Sequence, residues 1–187
     1  MRKGITLLIF VIIFVIINTV LYRNFDNDYF NIKTYYSSID KDADKIDDQT
    51  DILRNAKKYI TKKPKYKTKD DINPNIKYNG SIDLVIYSLK NAGYNLEVII
   101  GNDYKNFDKI VEYLNNNAIS LTTDIKEKDK WQGGDIVVFK NQMGIISDKR
   151  NINGISYVIH HIGPLQIKFE EDVLEDSKDI IGHYRIS

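Results

Sequence analysis

The stretch WQGGDIVVFKNQMGIISDKRNINGISYVIHH, residues 131–161, decides the fold. It contains three runs with the length and apolar content of β-strands, at residues 136–140, 144–148 and 156–160. Gly134-Asp135 introduces the first run, and Asn153-Gly154 is a strong hairpin signal before the third. Two later runs, residues 166–169 and 181–186, also have β-like composition. The stretch therefore predicts an antiparallel sheet.

Helical periodicity precedes these strands. Apolar residues recur at helical spacing in three segments, residues 50–62, 82–91 and 103–116. In the first segment this face consists of Ile52, Leu53, Ala56, Tyr59 and Ile60. Gly93 is placed to end the second helix. Helices followed by an antiparallel sheet predict one α+β domain over residues 50–187.

The composition excludes several classes of function. Among the 187 residues, 27 Lys and Arg balance 26 Asp and Glu, which gives no electrostatic reason to expect nucleic acid as a partner. Cysteine is absent, so the chain can form neither disulfides nor thiolate metal sites. The three histidines do not have HExxH spacing. The sequence therefore predicts no metal site and no cofactor.

The N-terminal residues predict attachment to a membrane. Residues 5–22, ITLLIFVIIFVIINTVLY, carry no charge, and a helix of this length spans about 27 Å. Arg2 and Lys3 precede this run, which places the N-terminus in the cytoplasm and the domain outside. The alternative is a cleaved signal peptide, but residues 20–25 lack the small residues of a cleavage site. We therefore expect an uncleaved anchor over residues 1–22 of a single-pass plasma-membrane protein.

Residues 23–49 connect this anchor to the domain. They are polar, and residues 40–49, DKDADKIDDQ, are rich in acidic side chains. Such a charge run is more often solvated than part of a binding site. We therefore interpret residues 23–49 as a linker.

Four motifs resemble the papain-like cell-wall peptidases of the NlpC type: a helix beginning at Gly80-Ser81, then WQGGDIVVF, MGIISD and YVIHHIG. Within that superfamily the chain looks most similar to an uncharacterised bacterial family, domain of unknown function 1287. Members of that family carry GVCTD-like, GDIV, HIGIVSD and VHNIG motifs and a terminal GHYR, and the resemblance covers residues 51–187. It implies a papain-like fold in which helices pack on an antiparallel sheet. It also implies a cysteine at a helix N-terminus, activated by a histidine, that attacks peptide links in peptidoglycan.

The chain departs from this pattern at both reactive positions. Ser81 stands where the family has its cysteine, and Gln142 where it has the first histidine, whereas His160 matches the second histidine. A serine needs an adjacent base, and a glutamine amide cannot act as one. The resemblance therefore implies a degenerate catalytic site at Ser81, Gln142 and His160, and a domain that binds cell-wall peptide or an envelope partner.

Two other functions stay open. One is an active peptidoglycan amidase or peptidase that uses Ser81, or a native cysteine at that position, with His160. The other is a structural subunit of an envelope complex. Simpler roles also exist for single residues: Ser81 is a good helix N-cap, Asp135 suits a turn, and His183 suits a structural position. We expect Trp131 to be buried against the helices.

Overall fold

The computed structural model describes residues 9, 11–12, 24–61, 80–161, 166, 168–177 and 179–186. Its helices are α1 (Asp48–Thr61), α2 (Gly80–Lys90), α3 (Leu96–Ile100) and α4 (Phe107–Asn117). Its strands are β1 (Ile119–Ser120), β2 (Ile136–Phe139), β3 (Met143–Arg150), β4 (Ser156–Ile159), β5 (Glu170–Glu171) and β6 (Ile180–Arg185). Short 3-10 turns occupy Asp28–Phe30 and Gly101–Asp103. The predicted α+β class is confirmed.

The six strands form one antiparallel sheet in the order β1-β6-β2-β3-β4-β5. The last strand, β6, therefore lies inside the sheet, between β1 and β2. The hairpin between β3 and β4 turns at Asn153-Gly154 as predicted, and Gly154 adopts a φ of +77° that favours glycine. With eight residues, β3 is the longest of the described strands, and it pairs with β2 and β4 in the middle of the sheet.

Both faces of the sheet are covered, which explains why all four residues of β2 are buried. On one face the sheet packs against α1, α2 and α4, and we call this the helix-side core. Its strand residues include Ile136, Val138, Met143, Ile145 and Ile159. On the other face a smaller outer core contains Trp131, Val137, Phe139, Ile146, Ile155, Val158 and Leu174. The alternation of side chains along β2 and β3 assigns successive residues to opposite cores.

The predicted helices are present with shifted ends. The third begins at Phe107 rather than at residue 103, because Asn106 caps it: its side chain accepts a hydrogen bond from Lys109 N at 3.2 Å. The five-residue helix α3 was not predicted, since a segment this short shows no helical period. The strand expected at residues 166–169 occurs instead at Glu170–Glu171.

The linker interpretation of residues 23–49 does not describe how residues 24–47 pack. The backbone of Phe25 exchanges two hydrogen bonds with Arg150 at the end of β3, at 2.9 and 2.7 Å. Phe25 also contacts the rings of Tyr29 and Phe30, with centroids 4.3 and 5.8 Å away. The hydrogen bonds to Arg150 attach the segment to the domain, and the aromatic contacts hold the segment together. The prediction weighed only the charge run that follows these residues.

Asp135 is a buried centre of hydrogen bonding, rather than only the turn residue that we expected. Its carboxylate is fully buried and accepts hydrogen bonds from four residues. The donors are Gln49 Nε2 (2.8 Å), Gln132 N (2.9 Å), His183 Nε2 (3.0 Å), and Arg185 Nε and Nη2 (both 2.7 Å). Asp135 thus connects α1, the turn before β2, and β6.

Trp131 is buried as expected, but it packs in the outer core and not against the helices. Its ring stacks on that of His183 with centroids 3.8 Å apart and an interplanar angle of 5°. Its Nε1 donates to the Asp124 carbonyl at 3.1 Å, which satisfies the indole. The stack holds the His183 ring in the orientation in which its Nε2 contacts Asp135.

The predicted membrane segment, residues 5–22, lies outside the described residues except for Ile9, Val11 and Ile12. These three are helical, and each is about half exposed. Within the described part of the chain, no helix combines the length and the apolar character needed to cross a membrane.

We predict that Trp131→Ala lowers the free energy of unfolding by about 3–5 kcal/mol, the usual cost of truncating a buried tryptophan. Urea unfolding followed by circular dichroism measures this change. The control is Tyr36→Ala, because Tyr36 is 67% exposed and its truncation should cost less than about 0.5 kcal/mol. A similar loss in the two variants would contradict the packing described for Trp131.

Candidate functional site

The N-terminus of α2 carries the position at which the resemblance implies a nucleophile. Ser81 is fully buried, and its Oγ accepts a hydrogen bond from Met143 N at 3.3 Å. This bond ties the first turn of α2 to the first residue of β3. The helix packs here because Ile82, Val85 and Leu89 all enter the helix-side core. Ser81 therefore lies at the junction of helix and sheet.

The sheet separates Ser81 from the positions of Gln142 and His160. Met143 and Ile159 belong to the helix-side core, so their strand neighbours Gln142 and His160 lie on the outer face. The strand pairing extends to both residues: Phe139 N donates to Gln142 O, and His160 N donates to Phe169 O, each at 2.8 Å.

Two further observations agree with this separation. A Cβ placed on Gly144 would lie 3.4 Å from His160 Cβ, and Gly144 is two residues from Gln142 on the same face. Gln142 is half-buried and lines a shallow hollow with Phe139, an outer-core residue. The structure thus brings Gln142 and His160 to one face and Ser81 to the other.

His160 interacts with an acidic side chain on the outer face. Its Nε2 lies 2.9 Å from Glu171 Oε2, and a neutral ring protonated at Nε2 donates this hydrogen bond. Its Nδ1 is buried without a hydrogen-bond partner among the described residues. Burial lowers the pKa of His160 below the usual value, and the charge of Glu171 opposes this shift.

The imidazole beside the start of α2 belongs to His161. A Cβ on Gly80 would lie 2.5 Å from His161 Nδ1, so the ring covers the residue that directly precedes Ser81. Phe169 contacts this ring edge to face, with centroids 5.1 Å apart. Burial lowers the pKa of His161, and the nearby charge of Asp83 partly offsets that shift. Side chains alternate along a strand, so residues two apart lie on the same face. Assigning Ile159 to the helix-side core would therefore have identified His161 as the histidine on the helix side.

This arrangement is unfavourable for nucleophilic catalysis. A serine nucleophile must be exposed to substrate and must donate its proton to a base about 3 Å away. Ser81 has no exposed surface, and its Oγ serves as an acceptor for a backbone amide. The first turn of α2 presents instead an ion pair in which Lys105 Nζ lies 3.1 Å from Asp83 Oδ1. Both of these side chains are partly exposed and can bind polar ligand groups.

Three aspartates before α1 have a geometry that could hold a metal ion, although the sequence predicted no metal site. The carboxylates of Asp40, Asp42 and Asp44 are exposed and lie within 4.8 Å of one another. Their alternating spacing matches the first three ligands of a calcium loop, and this signal was present in the sequence. The glycine of that motif is replaced by Lys45, which has a φ of +74°. Arg54 donates hydrogen bonds to Asp44 and to Asp51, the twelfth residue of the run.

We predict that the pKa of a thiol introduced by Ser81→Cys depends on His161 and not on residues of the outer face. The ultraviolet absorbance of the thiolate, followed against pH, measures this pKa without a reagent having to reach the buried side chain. Adding Gln142→His should leave the thiol pKa unchanged, because a new imidazole there faces away. Adding His161→Asn should raise the thiol pKa, since an adjacent imidazole favours the thiolate. His160→Asn serves as the matched control. A lower thiol pKa with Gln142→His would show that positions 81 and 142 face each other.

Comparison with known proteins identifies similarity over the second half of the chain. The family model described as Domain of unknown function (DUF1287) matches residues 100–186. The matched region contains α4, all six strands and the positions of Gln142 and His160, and it begins after α2 and Ser81. No curated protein and no solved structure matches the chain. The part of the resemblance that concerns domain of unknown function 1287 is therefore supported over residues 100–186.

Proposed function

We propose that the chain is a membrane-attached, extracytoplasmic, papain-like domain that binds cell-wall peptide or an envelope partner without hydrolysing it. The observation that carries this proposal is the state of Ser81, whose buried Oγ accepts a hydrogen bond from Met143 N. A hydroxyl in this position stabilises the junction between helix and sheet. It is not available to attack an amide carbon.

The positions of the two partner residues support the same proposal. Gln142 offers an amide in place of a base, and it lies with His160 on the outer face. His160 and Ser81 lie on opposite faces of the sheet, so His160 cannot accept a proton from Ser81 in this arrangement. A scaffold with these substitutions can keep a surface that binds a ligand, although neither Gln142 nor His160 is placed to activate Ser81.

The proposed attachment and fold rest on separate features. The uncharged run of residues 5–22, with Arg2 and Lys3 before it, supports a membrane anchor and an extracytoplasmic domain. The packing of α2 on β3, with the start of the helix at the start of the strand, is consistent with a papain-like arrangement. Asp83 and Lys105 supply exposed polar groups beside that junction.

A second candidate function is hydrolysis by Ser81, and one observation favours it. The imidazole of His161 covers Gly80, which places a titratable ring next to Ser81. A change at the start of α2 that exposed Ser81 would bring together a hydroxyl and a base. This alternative differs from the binding proposal in requiring a released product.

The test uses the full-length chain with purified, insoluble peptidoglycan. We predict that the protein sediments with the peptidoglycan and that chromatography of the supernatant shows no released fragments, because the buried Oγ of Ser81 cannot reach an amide carbon of the substrate. Ser81→Ala should sediment equally well, which separates binding from catalysis. Fragment release that Ser81→Ala abolishes would establish the hydrolase. Failure of both proteins to sediment would contradict binding to cell-wall peptide.

A further inference from the structure

The connection between the apolar run of residues 5–22 and the sheet is short. Phe25 is buried, and its backbone N–H and C=O exchange hydrogen bonds with Arg150 at the end of β3. From Tyr22 to Phe25 there are three Cα–Cα steps, which reach at most about 11 Å. The chain is therefore held by the sheet almost directly after the apolar run, and not after the linker of residues 23–49 that the sequence predicted.

This length limits how far the sheet can lie from a bilayer. A hydrocarbon core of about 30 Å is flanked on each side by a headgroup region of about 5–8 Å. An apolar run that fills the core ends at the inner boundary of the headgroup region. Phe25 then lies within the headgroups or directly above them, and the side chains around Phe25 are the part of the domain nearest to the lipid.

Exposed aromatic and aliphatic side chains surround Phe25. Tyr29 is 61% exposed, and its ring contacts those of Phe25 and Phe30, with centroids 4.3 and 5.0 Å away. The Phe30 ring also reaches the turn between β3 and β4, since a Cβ on Gly154 would lie 3.3 Å from it. Ile152, in the same turn, is 50% exposed. We call Tyr29, Phe30 and Ile152 the anchor-side surface.

The chemistry of this surface suits the interface between lipid and water. Tyrosine prefers the headgroup level, where its ring is in an apolar environment and its hydroxyl stays hydrated. Removing the exposed part of Ile152 from water is also favourable. Asp26 and Asp28 are exposed in the same segment and provide no attraction to anionic lipid. The contact therefore depends on apolar side chains and on the short connection, which keeps the surface at a high effective concentration beside the bilayer.

We propose that the anchor-side surface lies against the lipid headgroups and thereby orients the domain on the bilayer. This inference rests on the membrane attachment that is part of the proposed function. It goes further, because it names the surface that faces the lipid and the end of the sheet that faces away.

This orientation places the start of α2 away from the bilayer. The strand β3 begins at Met143, whose N–H donates to Ser81 Oγ, and ends at Arg150, which holds Phe25. The eight residues of β3 span roughly 23 Å at about 3.3 Å per residue step. The junction of α2 and β3 therefore lies at the end of the sheet farther from the lipid, on the side of the cell wall.

The experiment measures how close single labels in the full-length chain lie to the lipid headgroups. The chain contains no cysteine, so Ile152→Cys provides a unique site for a fluorophore. Ile181→Cys is the matched control, because Ile181 is 56% exposed. It lies at the far end of the sheet, since its neighbour Gly182 pairs with Val138, which pairs with Met143. Each labelled protein is incorporated into phosphatidylcholine nanodiscs, with or without lipids that carry a nitroxide quencher on the headgroup.

We expect the nitroxide lipid to quench most of the fluorescence at position 152 and little at position 181. A Gly/Ser insert of about 15 residues between Arg23 and Asn24, with an end-to-end distance of about 20 Å, should reduce the quenching at position 152 to the level at position 181. Equal quenching at the two positions, or undiminished quenching with the insert, would overturn the proposal.

Incorporation is scored first, by size-exclusion chromatography of the nanodiscs. A chain that does not elute with the nanodiscs would contradict the membrane attachment, and the orientation with it. A chain that elutes with them and carries equally quenched labels would contradict the orientation alone. Peptidoglycan sedimentation is measured separately and does not depend on either outcome.

Discussion

The buried carboxylate of Asp135 is the constraint on which the rest of the structure depends. It accepts hydrogen bonds from α1 through Gln49, from the turn before β2 through Gln132 N, and from β6 through His183 and Arg185. A buried carboxylate is tolerated only when opposite charge and donors surround it, and Arg185 supplies the charge. These bonds place the last strand beside β2 and hold the first helix against the same turn. One side chain thus joins segments that lie far apart in sequence.

The position of the candidate site follows from that arrangement. With β2 held by Asp135, the β2–β3 hairpin places Met143 N beneath Ser81 at the start of α2. The alternation of side chains then directs Gln142 and His160 to the outer face and His161 to the helix side. The same residues that resemble a peptidase motif are therefore divided by the sheet. This division, together with the burial of Ser81, supports binding over hydrolysis as the proposed function.

The sequence predicted those features that depend on neighbouring residues. It did not predict features that depend on contacts between residues far apart in the chain. The strands β2, β3 and β4 and the hairpin at Asn153-Gly154 were predicted because composition and turn chemistry are local signals. The central role of Asp135 was not predicted, since its donors come from positions 49, 132, 183 and 185. His161 was not selected as a site residue, because the face on which a strand residue lies depends on how side chains alternate along the whole strand. The packing of residues 24–47 depends on Arg150, more than a hundred positions away.

The most direct test of this account is urea unfolding of Asp135→Ala, Arg185→Met and the double variant. We predict that Asp135→Ala alone lowers the free energy of unfolding by about 3–5 kcal/mol, because it leaves the Arg185 guanidinium largely buried without its partner. The double variant should lose clearly less than the sum of the two single variants, since removing both charges leaves neither unpaired. A loss below about 1 kcal/mol in Asp135→Ala, or strict additivity in the double variant, would contradict the role assigned to this carboxylate.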